Sequence, residues 1–186
     1  MFEILGLIIN TVTGLLATVL LLRFWMQAIR IRPPGSVAQF TFQLTDWLVL
    51  RLRRVVPGIG GYDWASMLAT VMLAVIGAAL DSFGMLGQVA LPWLLLKTLH
   101  ILVQWICYIF FGLVFLTVVF SWVNPYAPLA PFVNALLQPL LRPIRRIVPL
   151  FGNIDLSPMV LSILLIVVMR VNDKLFQIGV SIPVFQ

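Results

Sequence analysis

The sequence predicts an all-α polytopic membrane protein. Four transmembrane helices are expected as two parallel helix-hairpin repeats, each with an amphipathic helix at the cytoplasmic interface. Three observations carry this. Of 186 residues, 62% are hydrophobic and 10% charged, where a soluble domain carries about a quarter charged, so much of the surface must face lipid. The apolar residues gather into long runs that lack charge. One charged stretch is also written twice: "RRVVPGIGGYDWASML" starts at Arg53 and "RRIVPLFGNIDLSPMV" at Arg145, 92 positions apart, with two arginines, a proline, a glycine, an aspartate and a methionine in register.

The first span is expected over about 4–29, beginning with "ILGLIINTVTGLLATVLLL". Its acidic opening at Glu3, its length and the lack of an A-x-A site read as an uncleaved span rather than a signal peptide. The segment Ser36 to Pro57 mixes apolar and polar residues at helical spacing. Val37, Phe40, Leu44, Leu48 and Val55 can share one face, and Gln39, Gln43, Asp46 and Arg53 another. A second uncharged span follows over about 64–80 and a third over about 101–123. Between them "DSFGMLGQVALP" reads as a loop, with Asp81 solvated at the end of span two. In Phe132 to Ile147 the polar stripe is Asn134, Gln138, Arg142 and Arg145; Pro139 and Pro143 each remove a backbone donor, so two short helical pieces are expected there. The fourth span, about 156–176, has a ragged end that admits Arg170, Asp173 and Lys174. The repeats are taken as 1–88 and 93–186.

Arginine placement sets the orientation. Arg23, Arg30, Arg32, Arg51, Arg53 and Arg54 lie at or between the ends of spans one and two, and Arg142, Arg145 and Arg146 between spans three and four; the joining loop has no positive charge. By the positive-inside rule both basic segments are cytoplasmic and both termini periplasmic. The even number of spans per half makes the repeat parallel, related by an axis along the membrane normal. The net charge of +6 then reports orientation and contact with anionic lipid; no basic stretch interleaved with aromatics suggests nucleic-acid binding.

The repeated stretch has a physical reading. Pro57 and Pro149 end the interfacial helix, and Gly60 and Gly152 permit the reversal that follows. Asp63 and Asp155 are expected at N-cap positions of the next apolar helix, with Ser66 and Ser157 assisting the first turn. Arg53 or Arg54 can fold back onto Asp63, and Arg145 or Arg146 onto Asp155. The structural role, closing and anchoring each hairpin, is favoured. The sharper reading has both copies converge on one basic site for a lipid headgroup or protein partner, with Arg53, Arg54, Arg142, Arg145 and Arg146 as its candidates.

Lys97, His100 and Gln104 are spaced for one helical face and are the weak candidates for a polar path; an interfacial stripe is favoured instead. Ala65/Ala69 and Ala74/Ala78 are a small-residue packing signal. Cys107, the sole cysteine, reads as a small buried residue. No metal-ligand spacing, nucleotide loop or catalytic triad points to an enzyme or a cofactor.

The stretch "LLRPIRRIVPLFGNIDLSP", Leu140 to Pro158, resembles the YggT family of small bacterial and plastid membrane proteins; "LRRVVPGIGGYDWAS" follows the pattern less closely, with Trp64, Ala65 and Ser66 in place of its Leu-Ser-Pro part. The paired copies span most of the chain, as in the two-repeat proteobacterial form. The resemblance implies a bacterial inner-membrane protein connected with osmotic or ionic stress. The cofactor-assembly role associated with plastid relatives does not carry over to a chain with one histidine and one cysteine, and no catalytic residues transfer. The expected function is non-enzymatic: organising or assisting assembly of other membrane components. Anionic lipids and other membrane proteins are the expected partners, and self-association stays open. The alternative is a small ion-conducting or osmoprotective transport component.

Overall fold

The computed structural model describes residues 2–56, 58, 60–86, 91–148 and 155–181. Pro57, Pro149 and Gly152 lie outside them. Among the described residues six helices follow one another: α1 Phe2–Ala28, α2 Gly35–Leu52, α3 Trp64–Leu86, α4 Leu91–Val123, α5 Ala130–Ile147 and α6 Ser157–Val180. Three stretches among the described residues are long and apolar enough to cross a membrane: Gly6–Ala28, Trp64–Gly84 and Leu91–Val123. At 1.5 Å per residue, the 33 residues of α4 reach about 50 Å, and the 23 of α3 about 34 Å. This is a membrane protein. The fourth predicted span, α6, is long enough, but Arg170, Asp173 and Lys174 set it apart from those three.

Two expectations about boundaries are corrected. The third apolar helix starts at Leu91, ten residues before the expected 101, because Lys97 and His100 find partners on neighbouring helices rather than in water. The predicted loop is correspondingly shorter: Asp81–Leu86 belong to α3, and Leu91 and Pro92 to α4. The second correction concerns α5, a single helix despite Pro139 and Pro143. The prolines lie four apart on one exposed face, so the carbonyls they leave free also lie there. The opposite face packs Val133, Leu136, Leu137, Leu141 and Ile144. Tertiary burial outweighs the local penalty.

Each trio of helices packs alike: α1 with α2 and α3, and α2 with α3; α4 with α5 and α6, and α5 with α6. The halves meet where α4 packs on α1 and α3. Close approach of α3 to its neighbours follows from its small residues, with Ala65, Ala69, Ala74 and Ala78 all essentially fully buried. The larger core joins Leu21 and Met26 of α1 to α4, α5 and α6, with Cys107 buried inside it. Trp25 reinforces the junction: Nε1 donates to the Leu136 carbonyl at 2.9 Å, and its ring meets Phe110 edge-on at 5.1 Å.

The faces of α2 do not follow the predicted stripe. Thr41, Thr45 and Val49 point inward, while Phe40, Leu44, Trp47 and Leu50 are exposed. Burying threonines and exposing aromatics reverses the order of a water-soluble helix. It suits a helix whose outer face meets apolar surroundings.

Candidate functional site

Polar clusters sit at both ends of the bundle. The first gathers where α1 ends and α3 begins. Gly60 (φ 69°) and Gly61 (φ 82°) make the turn before α3 in the left-handed region that glycine permits. The Asp63 carbonyl accepts the amides of Ser66 and Met67 at 3.0 and 3.2 Å, so α3 winds out from Asp63. The Asp63 carboxylate is only 1% exposed. Oδ2 accepts from Arg23 Nε at 3.1 Å, Arg53 Nη2 at 2.9 Å and Ser66 Oγ at 2.7 Å, and Oδ1 from Arg53 Nε at 3.4 Å. Arg23, itself 6% exposed, donates through Nη1 to Thr45 Oγ1 and Asp46 Oδ1, both at 2.6 Å. Its guanidinium lies 4.8 Å over the Phe42 ring. One arginine thus ties α1 to α2 and α3. Burial alone would raise the Asp63 pKa; the hydrogen bonds from Arg53 and Ser66 and the charges of Arg53 and Arg23 outweigh it and hold it below the ordinary carboxylate value.

The second repeat has a simpler version. Arg145 sets Nε and Nη2 on Asp155 Oδ2 at 2.9 and 2.7 Å. Asp155 Oδ1 accepts the Ser157 amide at 2.9 Å, an early α6 donor that would otherwise lack a partner. The expected N-cap register shifts by one: Leu156 is the N-cap, and Asp155 caps from the residue before it. Burial again opposes ionisation, and the bonds from Ser157 and Arg145 prevail, lowering the Asp155 pKa. This pair is open, with side chains 38% and 31% exposed. The position 92 residues after Arg23 is Phe115, an exposed side chain, so α4 sends no arginine into the pair.

The candidates Arg54, Arg142 and Arg146 are all exposed. The clusters line separate cavities, Arg53 in one and Arg145 with Asp155 in the other.

At the opposite end Lys97, His100 and Gln104 do share a face, and each meets a partner. Lys97 Nζ lies 3.5 Å from Asp81 Oδ2, joining α4 to α3, and 5.1 Å over the Phe176 ring. Gln104 Nε2 donates to Asp173 Oδ1 at 3.2 Å. Asn172 Nδ2 donates to the His100 carbonyl at 3.1 Å and bonds Nδ1 at 3.0 Å. That makes Nδ1 the acceptor and leaves the ring proton on Nε2, which faces Asp173 Oδ1 at 3.8 Å. Asp81 is therefore partnered rather than a solvated loop residue; it also accepts from Asn10 Nδ2 at 3.3 Å.

The CCB3/YggT family profile matches the chain twice, over residues 2–84 and 96–176. The chain belongs to the CCB3/YggT family. It is 35% identical over 170 residues to the uncharacterised protein YggT of Escherichia coli strain K12, covering 88% of this chain and 86% of that one. An uncharacterised Pseudomonas aeruginosa protein is 32% identical over 156 residues, 81% and 79% of the two chains. A Haemophilus influenzae relative is 31% identical over 162 residues, 87% of each. No solved structure matches.

Within this CCB3/YggT chain the sequence reading missed Arg23 as a site residue, although a lone arginine in an apolar run was the available signal. It also missed a second repeated pairing. Asp81 and Asp173 are 92 apart, the same offset as the arginine–aspartate copies. Each accepts an amide side chain from the first helix of its own trio, Asn10 or Gln104.

Proposed function

We propose that this protein is a non-enzymatic membrane scaffold that organises or assists assembly of other membrane components. In this reading α6 is the fourth span, the two trios are parallel repeats, and α2 and α5 lie along the cytoplasmic interface of the inner membrane. Both termini then face the periplasm. The observation that carries it is where the charge goes. Arginine–aspartate pairs close one end, and Lys97–Asp81 and Gln104–Asp173 close the other. Between them the core is apolar, from Leu20 and Leu21 to Cys107, Phe110 and Leu113, apart from threonine hydroxyls such as Thr18 and Thr70 that turn back onto the carbonyls of their own helices. A conducting path needs polar lining at mid-depth; polar groups locked to one another at both ends favour a rigid body with outward-facing apolar surfaces. The exposed Phe40, Leu44 and Trp47 offer such a surface beside the basic end. A link to osmotic or ionic stress rests on family resemblance.

The test is photo-crosslinking in native membranes from positions 40, 44 and 47, with exposed Ile163 of α6 as control. Discrete protein adducts confined to α2 support the scaffold. Identical lipid-only patterns from all four positions, together with ion flux from the purified protein in liposomes, overturn it in favour of the transport reading.

A further inference from the structure

We propose that the cavity between the end of α1, α2 and the α2–α3 turn binds a phosphate group at the membrane surface. The cavity is about 380 Å³ and is lined by Arg23, Gln27, Arg30, Arg32, Phe42 and Arg53 among others. Four guanidiniums stand there against two carboxylates, Asp46 and Asp63, which pair with Arg23 and Arg53. Two positive charges are left over, on Arg30 and Arg32. Planar guanidinium forks suit phosphate oxygens, and a cavity at the lipid boundary loses less of this attraction to water than an open surface does.

Two further observations point to a ligand rather than to hairpin closure. The first is backbone strain. Ile31 N bonds the Met26 carbonyl at 3.0 Å and Arg30 N the Gln27 carbonyl at 3.1 Å, which is a Schellman ending with Arg30 at its left-handed position (φ 57°). Glycine is usual there, and a long side chain is disfavoured. The chain holds an arginine in a conformation that glycine would adopt freely, and that arginine lines the cavity. The second is asymmetry. The arginine–aspartate latch occurs in both repeats, so it answers a need common to both. The two cavity arginines left without a carboxylate do not recur: the positions 92 residues after Arg30 and Arg32 are Trp122 and Asn124. The second repeat's cavity holds one arginine with one aspartate.

The phosphate can belong to an anionic phospholipid headgroup or come free from solution. The inference adds a ligand to the scaffold reading and rests on it for the side of the membrane alone. Binding to the purified chain tests the site, and crosslinking tests the scaffold, so either can fail without the other. The full chain in detergent would be titrated with phosphatidic acid, phosphatidylglycerol and phosphatidylcholine by native mass spectrometry, with and without inorganic phosphate as competitor. The variants are Arg30→Gly, which keeps the left-handed turn while removing the guanidinium, and Arg32→Ala; Arg54→Ala and Arg146→Ala are exposed controls. The expected result is preference for the anionic lipids, weakened about tenfold by each cavity substitution and unchanged in the controls, with Arg30→Gly no less thermally stable than wild type. Displacement by inorganic phosphate identifies a site for phosphate from either source, whereas resistance to displacement identifies a lipid headgroup site. Equal weakening by cavity and control substitutions, or none by either, overturns the proposal.

Discussion

Removing Asp63 should destabilise the protein more than removing its repeat counterpart Asp155. Asp63→Ala takes the shared acceptor away from Arg23 and Arg53 in a site where the carboxylate is 1% and Arg23 6% exposed. Breaking a buried ion pair by deleting one partner costs about 3–5 kcal/mol. Arg23 keeps Asp46 and Thr45 at 2.6 Å, so the low end, about 3 kcal/mol, is expected. Asp155→Ala breaks a pair whose members are 38% and 31% exposed, worth about 0–1 kcal/mol, and removes a cap worth about 0.5–2 kcal/mol. Denaturant titration of the purified protein in detergent micelles, followed by tryptophan fluorescence, would measure both. A further substitution, Arg23→Leu, should recover part of the Asp63→Ala loss, because Asp46, 41% exposed, can be solvated once Arg23 is gone. If the two alanine variants lose equal stability, or Arg23→Leu adds its full cost to Asp63→Ala, the buried-latch reasoning fails.

The remaining predictions follow from the same geometry. At Asp155, stability should rank wild type above Asp155→Asn above Asp155→Ala, since asparagine keeps a capping oxygen but loses the charge pair; equal stability in all three would refute this. Both aspartates have lowered pKa values when folded, so their stabilisation is complete above the unfolded carboxylate value of about 3.9 and is lost as pH falls through the folded values. The stability gap between wild type and Asp63→Asn should be flat from neutral pH to about pH 5 and close only in stronger acid; a gap that shrinks between pH 7 and 5 would contradict it. Single cysteines at 40 and 44 should resist aqueous labelling in membranes despite their exposure, while those at 138 and 142 label readily; uniform labelling would place α2 in water. Reconstituted wild type should show no ion flux above empty liposomes, and His100→Ala should change nothing; cation-selective flux abolished by that substitution would revive the transport reading.

The sequence by itself determined the membrane class, the apolar helices and the doubling, because these depend on long uncharged runs and a fixed 92-residue offset that need no partner to be seen. It also allowed an arginine and an aspartate to meet at each reversal, since only ten positions separate Arg53 from Asp63 and Arg145 from Asp155. Tertiary structure alone decided which arginines: Arg53 over Arg54, Arg145 over Arg146, and Arg23 arriving from forty residues away. It decided that α2 turns its threonines inward to receive Arg23, and that α5 continues through two prolines over a buried apolar face. It made one latch buried and the other open, although both copies carry the arginine pair and the aspartate in the same register. The reason is physical: local patterns fix how a segment winds, whereas burial and long-range charge pairing depend on what the neighbouring helices bring, and here one neighbour brings Arg23 and the other Phe115.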